Sequence, residues 1–276
     1  GPLCESFKGS SLEEVIMMDI GLSVNGVTTL ADAIKLMAVV TSCCLLNNPL
    51  GDGVNAIIKV FEETLRLRTL CGFEEGTESI DWSHSEKGVA DATLLAAELR
   101  AGRAIAGVTS VNCRANPIGE EGLATLVAAV KDSSVRSICG LTEGQTEADF
   151  SGQKLGPFDC KIMVAEFQFQ GLIAVVARIS VLSNPIGVEG AAALIEVYEK
   201  NPQIRTLLGI EEGVTEVNFS EKNVDVGQTM VLAAELRAGR VTAAVKVMNL
   251  SGCGLTGATW NSSYGHWDNI DCDMSG

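Results

Sequence analysis

The chain has 276 residues, a formal net charge of −15 and nine cysteines, and 46% of its residues are hydrophobic against 20% charged. That balance excludes a disordered chain. The acidity argues against nucleic acid as a partner, because affinity for a phosphate backbone rests on clustered Lys and Arg that release counterions; basic or neutral partners fit better. The longest apolar run, around "GLIAVVARISVL", is broken by Arg178 and is too short to cross a bilayer, so a soluble chain with no membrane span is expected.

In chain order, the first clear unit is a short strand with apolar residues at Val40, Cys43, Leu45 and Leu50, closed by "NNPLGDG" at 47–53. The same turn returns as "ANPIGEEG" at 115–122 and "SNPIGVEG" at 183–190. Asn48, Asn116 and Asn184 are evenly spaced, since 116 − 48 and 184 − 116 both give 68. A fixed period of this kind signals repeated architecture and has to be settled first. Alternate apolar residues point one side of each strand inward, and the Asn side chain is suited to bonding backbone groups left free where the chain turns away. Gly119 and Gly187 then permit a tight bend. Glu120 and Glu121 suit a helix N-terminus, and "GLATLVAAV" has apolar residues at helical spacing.

After each of these helices comes an insert, "TLCGFEEG", "SICGLTEG" or "TLLGIEEG", with glycines at Gly72, Gly140 and Gly209. The inserts cover about 71–79, 139–147 and 208–216, and their path is left open. They lack the Lys-Ser/Thr ending and helix start of a phosphate-binding loop. A weaker strand follows each insert, through Ile80 and Trp82, Ala148 and Phe150, and Val217 and Phe219, with Ser85, Gln153 and Lys222 in the Asn slot. Next is the helix "LAAELRAGR" at 95–103, which recurs at 232–240 with "VAEFQFQG" at 164–171 as the middle copy. Its spacing sets Leu95, Leu99 and alanines on one side and Arg100 and Arg103 on the other.

Counting back from each turn, Val108, Val111, Cys113, Asn116 and Ile118 keep the spacing L-x-x-L-x-L-x-x-N-x-L. Val176, Ile179, Val181, Asn184 and Ile186 repeat it, and Val245, Met248, Leu250, Cys253 and Leu255 follow it with Cys at the turn. On these residues the chain resembles a leucine-rich-repeat protein, closest to the ribonuclease-inhibitor-like subclass and to the paired repeats of algae and other protists. The resemblance covers roughly 15–257, with 258–276 as a C-terminal cap or tail and 1–276 as a single domain. It implies an α/β solenoid, a horseshoe with a parallel β-sheet on the concave face and α-helices on the convex face.

It also implies a binding role without catalysis, with a protein partner held on the concave face. The outward strand residues that would form this surface are Asp81, Asn112, Glu147, Asp149, Arg178, Ser180, Glu216, Asn218 and Asn249, with Asn48, Asn116, Asn184 and Cys253 as structural turn residues. The competing expectation is a subunit of a larger assembly, favoured by the extra apolar residues Phe167, Phe169 and Leu172. An enzyme is not expected. In one unbroken sheet Asp81 and Asp149 would lie two strands apart, about 9–10 Å at ordinary spacing, but no nucleophile, base and orienting group recur together.

His84, beside the turn slot in a strand, reads as a surface histidine. The tail gathers His266, Asp268, Asp271, Cys272 and Asp273, which makes a metal-binding or enzymatic tail the second alternative, but without recognised ligand spacing no metal or other cofactor is expected. A cap built by Trp260, Tyr264 and Trp267 fits better, since open repeat ends need covering. The Asn-x-Ser acceptors at Asn218 and Asn249 fall inside expected strands, and a third stands at Asn261. The cysteines show no zinc spacing, and Cys43, Cys113 and Cys253 occupy apolar or turn slots. Buried free thiols in a reducing, cytoplasmic setting are expected.

Overall fold

The computed structural model describes residues 6–7, 10–168, 172–253, 259–261 and 266–268. It is a mixed α/β structure of repeating strand–helix steps, divided into two compact units, Gly1–Gly140 and Leu141–Gly276. The first unit runs β1 (Glu14–Ile16), α1 (Val24–Leu36), β2 (Ser42–Cys44), α2 (Val54–Glu63), β3 (Ser79–Asp81), α3 (Val89–Ala101), β4 (Ser110–Asn112) and α4 (Gly119–Val130). The second runs β5 (Glu147–Asp149), α5 (Pro157–Gln168), β6 (Arg178–Ser180), α6 (Gly187–Lys200), β7 (Glu216–Asn218), α7 (Val226–Ala238) and β8 (Val247–Asn249). The hairpin β9 (Thr259–Asn261) and β10 (His266–Asp268) follows. None of the described helices is long and apolar enough to cross a membrane.

Each weak strand pairs in parallel with the strong strand after it, β1 with β2, β3 with β4, β5 with β6 and β7 with β8. Alternation sends Val111 and Cys113 of the first unit and Ile179 and Val181 of the second to full burial, and Ile80, Trp82, Phe150 and Phe219 are buried as well. The inserts answer the question of their path. Residues 69–71 bridge to β2, 137–139 to β4 and 206–208 to β6, so each strong strand has an insert on its far side. In the first unit Cys44 of β2 is thus bridged to Cys71 of the insert.

What holds an insert against its strand is a buried carboxylate that the amphipathic reading of "LAAELRAGR" did not find. Glu98 of α3 accepts from the amides of Leu70 at 2.6 Å and Cys71 at 2.7 Å and from the Thr69 hydroxyl at 2.9 Å. Glu235 of α7 does the same for Leu207, Leu208 and Thr206. The arginine that ends this helix motif is also misplaced by a simple polar-face reading. Arg103 turns back, donating to the carbonyls of Phe61 at 2.7 Å and Leu67 at 2.6 Å, and Arg240 donates to those of Asn201 and Ile204. Each thus gathers carbonyls at and just beyond the C-terminus of the preceding helix. Arg100 is exposed, as expected, and Leu95 and Leu99 are buried.

The Asn-Pro turns behave as clamps. Asn116 Nδ2 donates to the carbonyls of Trp82, Cys113 and Arg114, and its Oδ1 accepts from the amides of Ser85 and Lys87. Asn48 and Asn184 make the equivalent bonds to Met17 and Phe150 and to the strands that carry them. The weak repeat lacks its own Asn because the neighbouring repeat supplies one. Cys253 keeps a single contact of this set, from Sγ to the Phe219 carbonyl at 3.0 Å.

Helix spacing depends on small residues. A Cβ at Gly53, Gly122 or Gly190 would press on the helix before it, and one at Gly227 would lie 2.2 Å from the Gly187 carbonyl oxygen. Only hydrogen fits there, so α6 and α7 pack closely. Gly227→Ala must push the two helices apart, and a loss of about 2 kcal/mol in unfolding free energy is expected by chemical denaturation.

Several other expectations need adjusting. His84 sits in the turn after β3 with φ 54°, not within the strand. Phe167 is buried and so is no evidence for an outer contact face; Phe169 lies outside the described residues, as does the side chain of Leu172. In the C-terminal hairpin Trp260 and Trp267 are register partners in an antiparallel pair. Leu255, Tyr264, Asp271, Cys272 and Asp273 lie outside the described residues, as do the hairpin side chains, so neither the cap nor a metal site in the tail can be placed.

Candidate strand-face site

In the second unit the residues expected on the strand face come together around one cleft. Its volume is about 370 Å³, and Glu147, Asp149, Arg178, Ser180 and Asn218 all line it. The elements that place them are β5, β6 and β7, with Glu147 opposite Arg178 and Asp149 opposite Ser180 in register. The lining is mainly polar, and its apolar members, Ala148, Leu182, Leu208 and Phe219, are all buried. Leu208 and Gly209 come from the insert, and Lys222 from the turn after β7. The insert also narrows the face, for a Cβ at Gly209 would lie 3.0 Å from that of Ser180.

Arg178 is held between two carboxylates, Glu147 of the facing strand and Glu211 of the insert turn at 3.2 Å. The hydrogen bond that Arg178 donates to Glu147 comes first in raising the already high guanidinium pKa. Asp149 accepts from the Ser151 amide at 2.9 Å, and the Ser151 hydroxyl and amide hold its carboxyl below the usual range. It is therefore an ionised acceptor at neutral pH. The site offers one fixed cation, Arg178, with Lys222 beside it in the lining, carboxylates, hydroxyls and an Asn amide.

Asp81 and Asn112 face each other in register on β3 and β4 of the first unit. Burial pushes the Asp81 carboxyl upward, but bonds from Ser83 and the nearby Arg114 charge outweigh it and leave it below its ordinary value. Glu216 and Asn249 lie on β7 and β8 opposite Val247 and Asn218, away from the cleft lining. The acceptor Asn218 and Asn249 side chains bond forward to the amides of Ser220 and Ser251, closing local turns.

Seven described cysteines are free: Cys43, Cys44, Cys71, Cys113, Cys139, Cys160 and Cys253. Burial pushes the thiols of Cys43 and Cys160 up to about 12, so these two are core packing groups with almost no thiolate at neutral pH. Among the described residues no group of three His, Cys, Asp or Glu side chains is placed to hold a metal ion.

Sequence reasoning missed Leu208, Gly209, Glu211 and Lys222, because they sit on the insert and the weak-repeat turn, where no apolar period marks them. Their signal was the recurrence of the insert itself. The sequence matches no protein-family model, and no curated protein aligns with it significantly.

Proposed function

We propose that this chain is a non-catalytic binding protein of leucine-rich-repeat type that recognises a protein partner on its strand faces. The single observation that carries the reading is the cleft over β5, β6 and β7, whose lining brings together five residues selected by strand alternation. A concave, mainly polar face with charges of both signs suits recognition of a polar protein surface. The strand-and-helix solenoid reading is supported by the 68-residue step of the Asn-Pro turns and by the clamp each Asn forms between adjacent strands. A balanced set of charges, Arg178 and Lys222 against Glu147 and Asp149, suits a polar protein surface.

The test is affinity capture from the native source with the whole chain as bait, repeated with Asp149→Ala and Arg178→Ala together. Both side chains lie at the surface, so the fold is expected to survive. A partner recovered by the wild type and lost from the double variant is the expected result. A partner retained by the variant would remove the cleft from recognition.

A further inference from the structure

The first unit holds a second, larger groove on its helical side, of about 840 Å³, between α2 and α3. This helix pair lacks the glycine found where α6 and α7 approach closely. Aligned on the Asn-Pro turns and on "LAAELRAGR", Gly187 corresponds to Gly51 and Gly227 to Ala90. At Gly227 only hydrogen fits beneath the neighbouring turn, whereas Ala90 carries a methyl group. The helices α2 and α3 touch over a much shorter length than α6 and α7 do.

The groove has an apolar seat and an acidic rim. Pro49, Val54, Ile58 and Val89 provide the seat, and Val89 keeps 37% of its surface exposed. Asp52, Glu86 and Glu121 stand exposed around it, and Asp19 adds a fourth exposed carboxylate at one end. Asp91 is also in the lining, but it is buried and accepts from the amides of Asn47 and Gly88 at 2.8 Å, so it belongs to the frame. Against these the lining contributes a single exposed cation, Arg100. Among the described residues none of these four carboxylates forms an ion pair with Arg100.

We propose that this groove docks a short basic segment of a partner protein, with an apolar side chain over Val89 and lysines or arginines against Asp52, Glu86 and Glu121. Charge complementarity selects the occupant. A neutral amphipathic helix would leave the rim carboxylates unanswered, and a second copy of this chain, at a formal net charge of −15, would be repelled. An apolar anchor with flanking cations satisfies both parts of the groove. The site is separate from the strand-face cleft and stands or falls independently of it.

The probe is a short fluorescein-labelled peptide of lysines and arginines around one leucine, titrated with the full chain and read by fluorescence anisotropy. The triple variant Asp52→Asn, Glu86→Gln, Glu121→Gln is expected to weaken binding by about tenfold or more, and added salt should do the same. Val89→Lys, which puts a cation on the seat, is expected to abolish it. Three equally exposed carboxylates elsewhere, Glu13→Gln, Glu63→Gln and Glu196→Gln, form the control. An equal loss from that control would show binding to net charge alone and overturn the proposal, and so would an unchanged affinity in the rim variant. Thermal melts of each variant separate lost binding from lost fold. Asp149→Ala with Arg178→Ala should leave peptide affinity unaltered, so failure of the groove and failure of the cleft give different results.

Discussion

Replacing Asn116 by alanine is expected to lower the unfolding free energy by about 3 kcal/mol, because one substitution orphans groups on two adjacent strands. The lost side chain accepts from Ser85 N at 3.2 Å and Lys87 N at 2.8 Å, and donates to Trp82 O at 2.6 Å, Cys113 O at 3.2 Å and Arg114 O at 3.0 Å. A single neutral hydrogen bond is worth about 1 kcal/mol net, but leaving a buried partner unsatisfied costs about 1–3 kcal/mol. Asn116 is 6% exposed, so little water can replace it. The same reasoning predicts a smaller effect for Cys253→Ala, where one weak thiol contact to Phe219 O is lost from a half-buried position. Unfolding in a repeat protein can be stepwise, so hydrogen exchange is the sharper measurement. The amides of Ser85 and Lys87 should lose protection in Asn116→Ala while those of α1 keep theirs. Undiminished protection at Ser85 and Lys87 would refute the clamp.

The strong strands were legible because their cores obey two periods at once. Val108, Val111 and Cys113 are spaced for a short strand, and the turn Asn recurs at 68 residues; the structure buries all three apolar side chains completely. The strand-face residues followed from that alternation, and β5 and β6 pair Glu147 with Arg178 and Asp149 with Ser180 in the expected register. The inserts were opaque for a physical reason. Each contributes only a few residues to the sheet, too few to show a period, and their anchor lies elsewhere: Cys71 bonds to Glu98, 27 residues along the chain. A buried glutamate also looks, by residue type, like any other on a helix surface. What marks Glu98 and Glu235 is their recurrence at one slot between alanine and leucine, where an exposed position would tolerate variety. The α2–α3 groove was less visible still, since its lining is drawn from separate turns and helices and no apolar period joins Asp19, Asp52, Glu86, Val89 and Glu121.

Glu235 carries the second large effect, which is a dependence of stability on pH. Burial is the main cause that pushes its carboxyl from 4.5 to about 7, against the lowering effect of the Leu207 and Leu208 amides, the Thr206 hydroxyl and the Arg240 charge. Thr206 Oγ1 lies 3.0 Å from each carboxyl oxygen, so a protonated Oε2 has a partner within reach. Since the folded value lies above the unfolded one, the native state holds this proton more tightly. The contribution is fully present below about 4.5 and is lost as pH rises toward and past 7. The gap corresponds to about 3 kcal/mol at 1.36 kcal/mol per pH unit. Glutamine keeps a carbonyl for the two amides and an N–H for Thr206 while removing the titration. Glu235→Gln should therefore match the wild type in urea midpoint near pH 4.5 and exceed it progressively up to neutral pH, with the difference between the two curves isolating this one proton from the similar upward push that burial gives Glu98. Parallel curves across that window would mean that Glu235 enters the folded core already ionised, with the amides of Leu207 and Leu208 and the guanidinium of Arg240 sufficient to hold its charge.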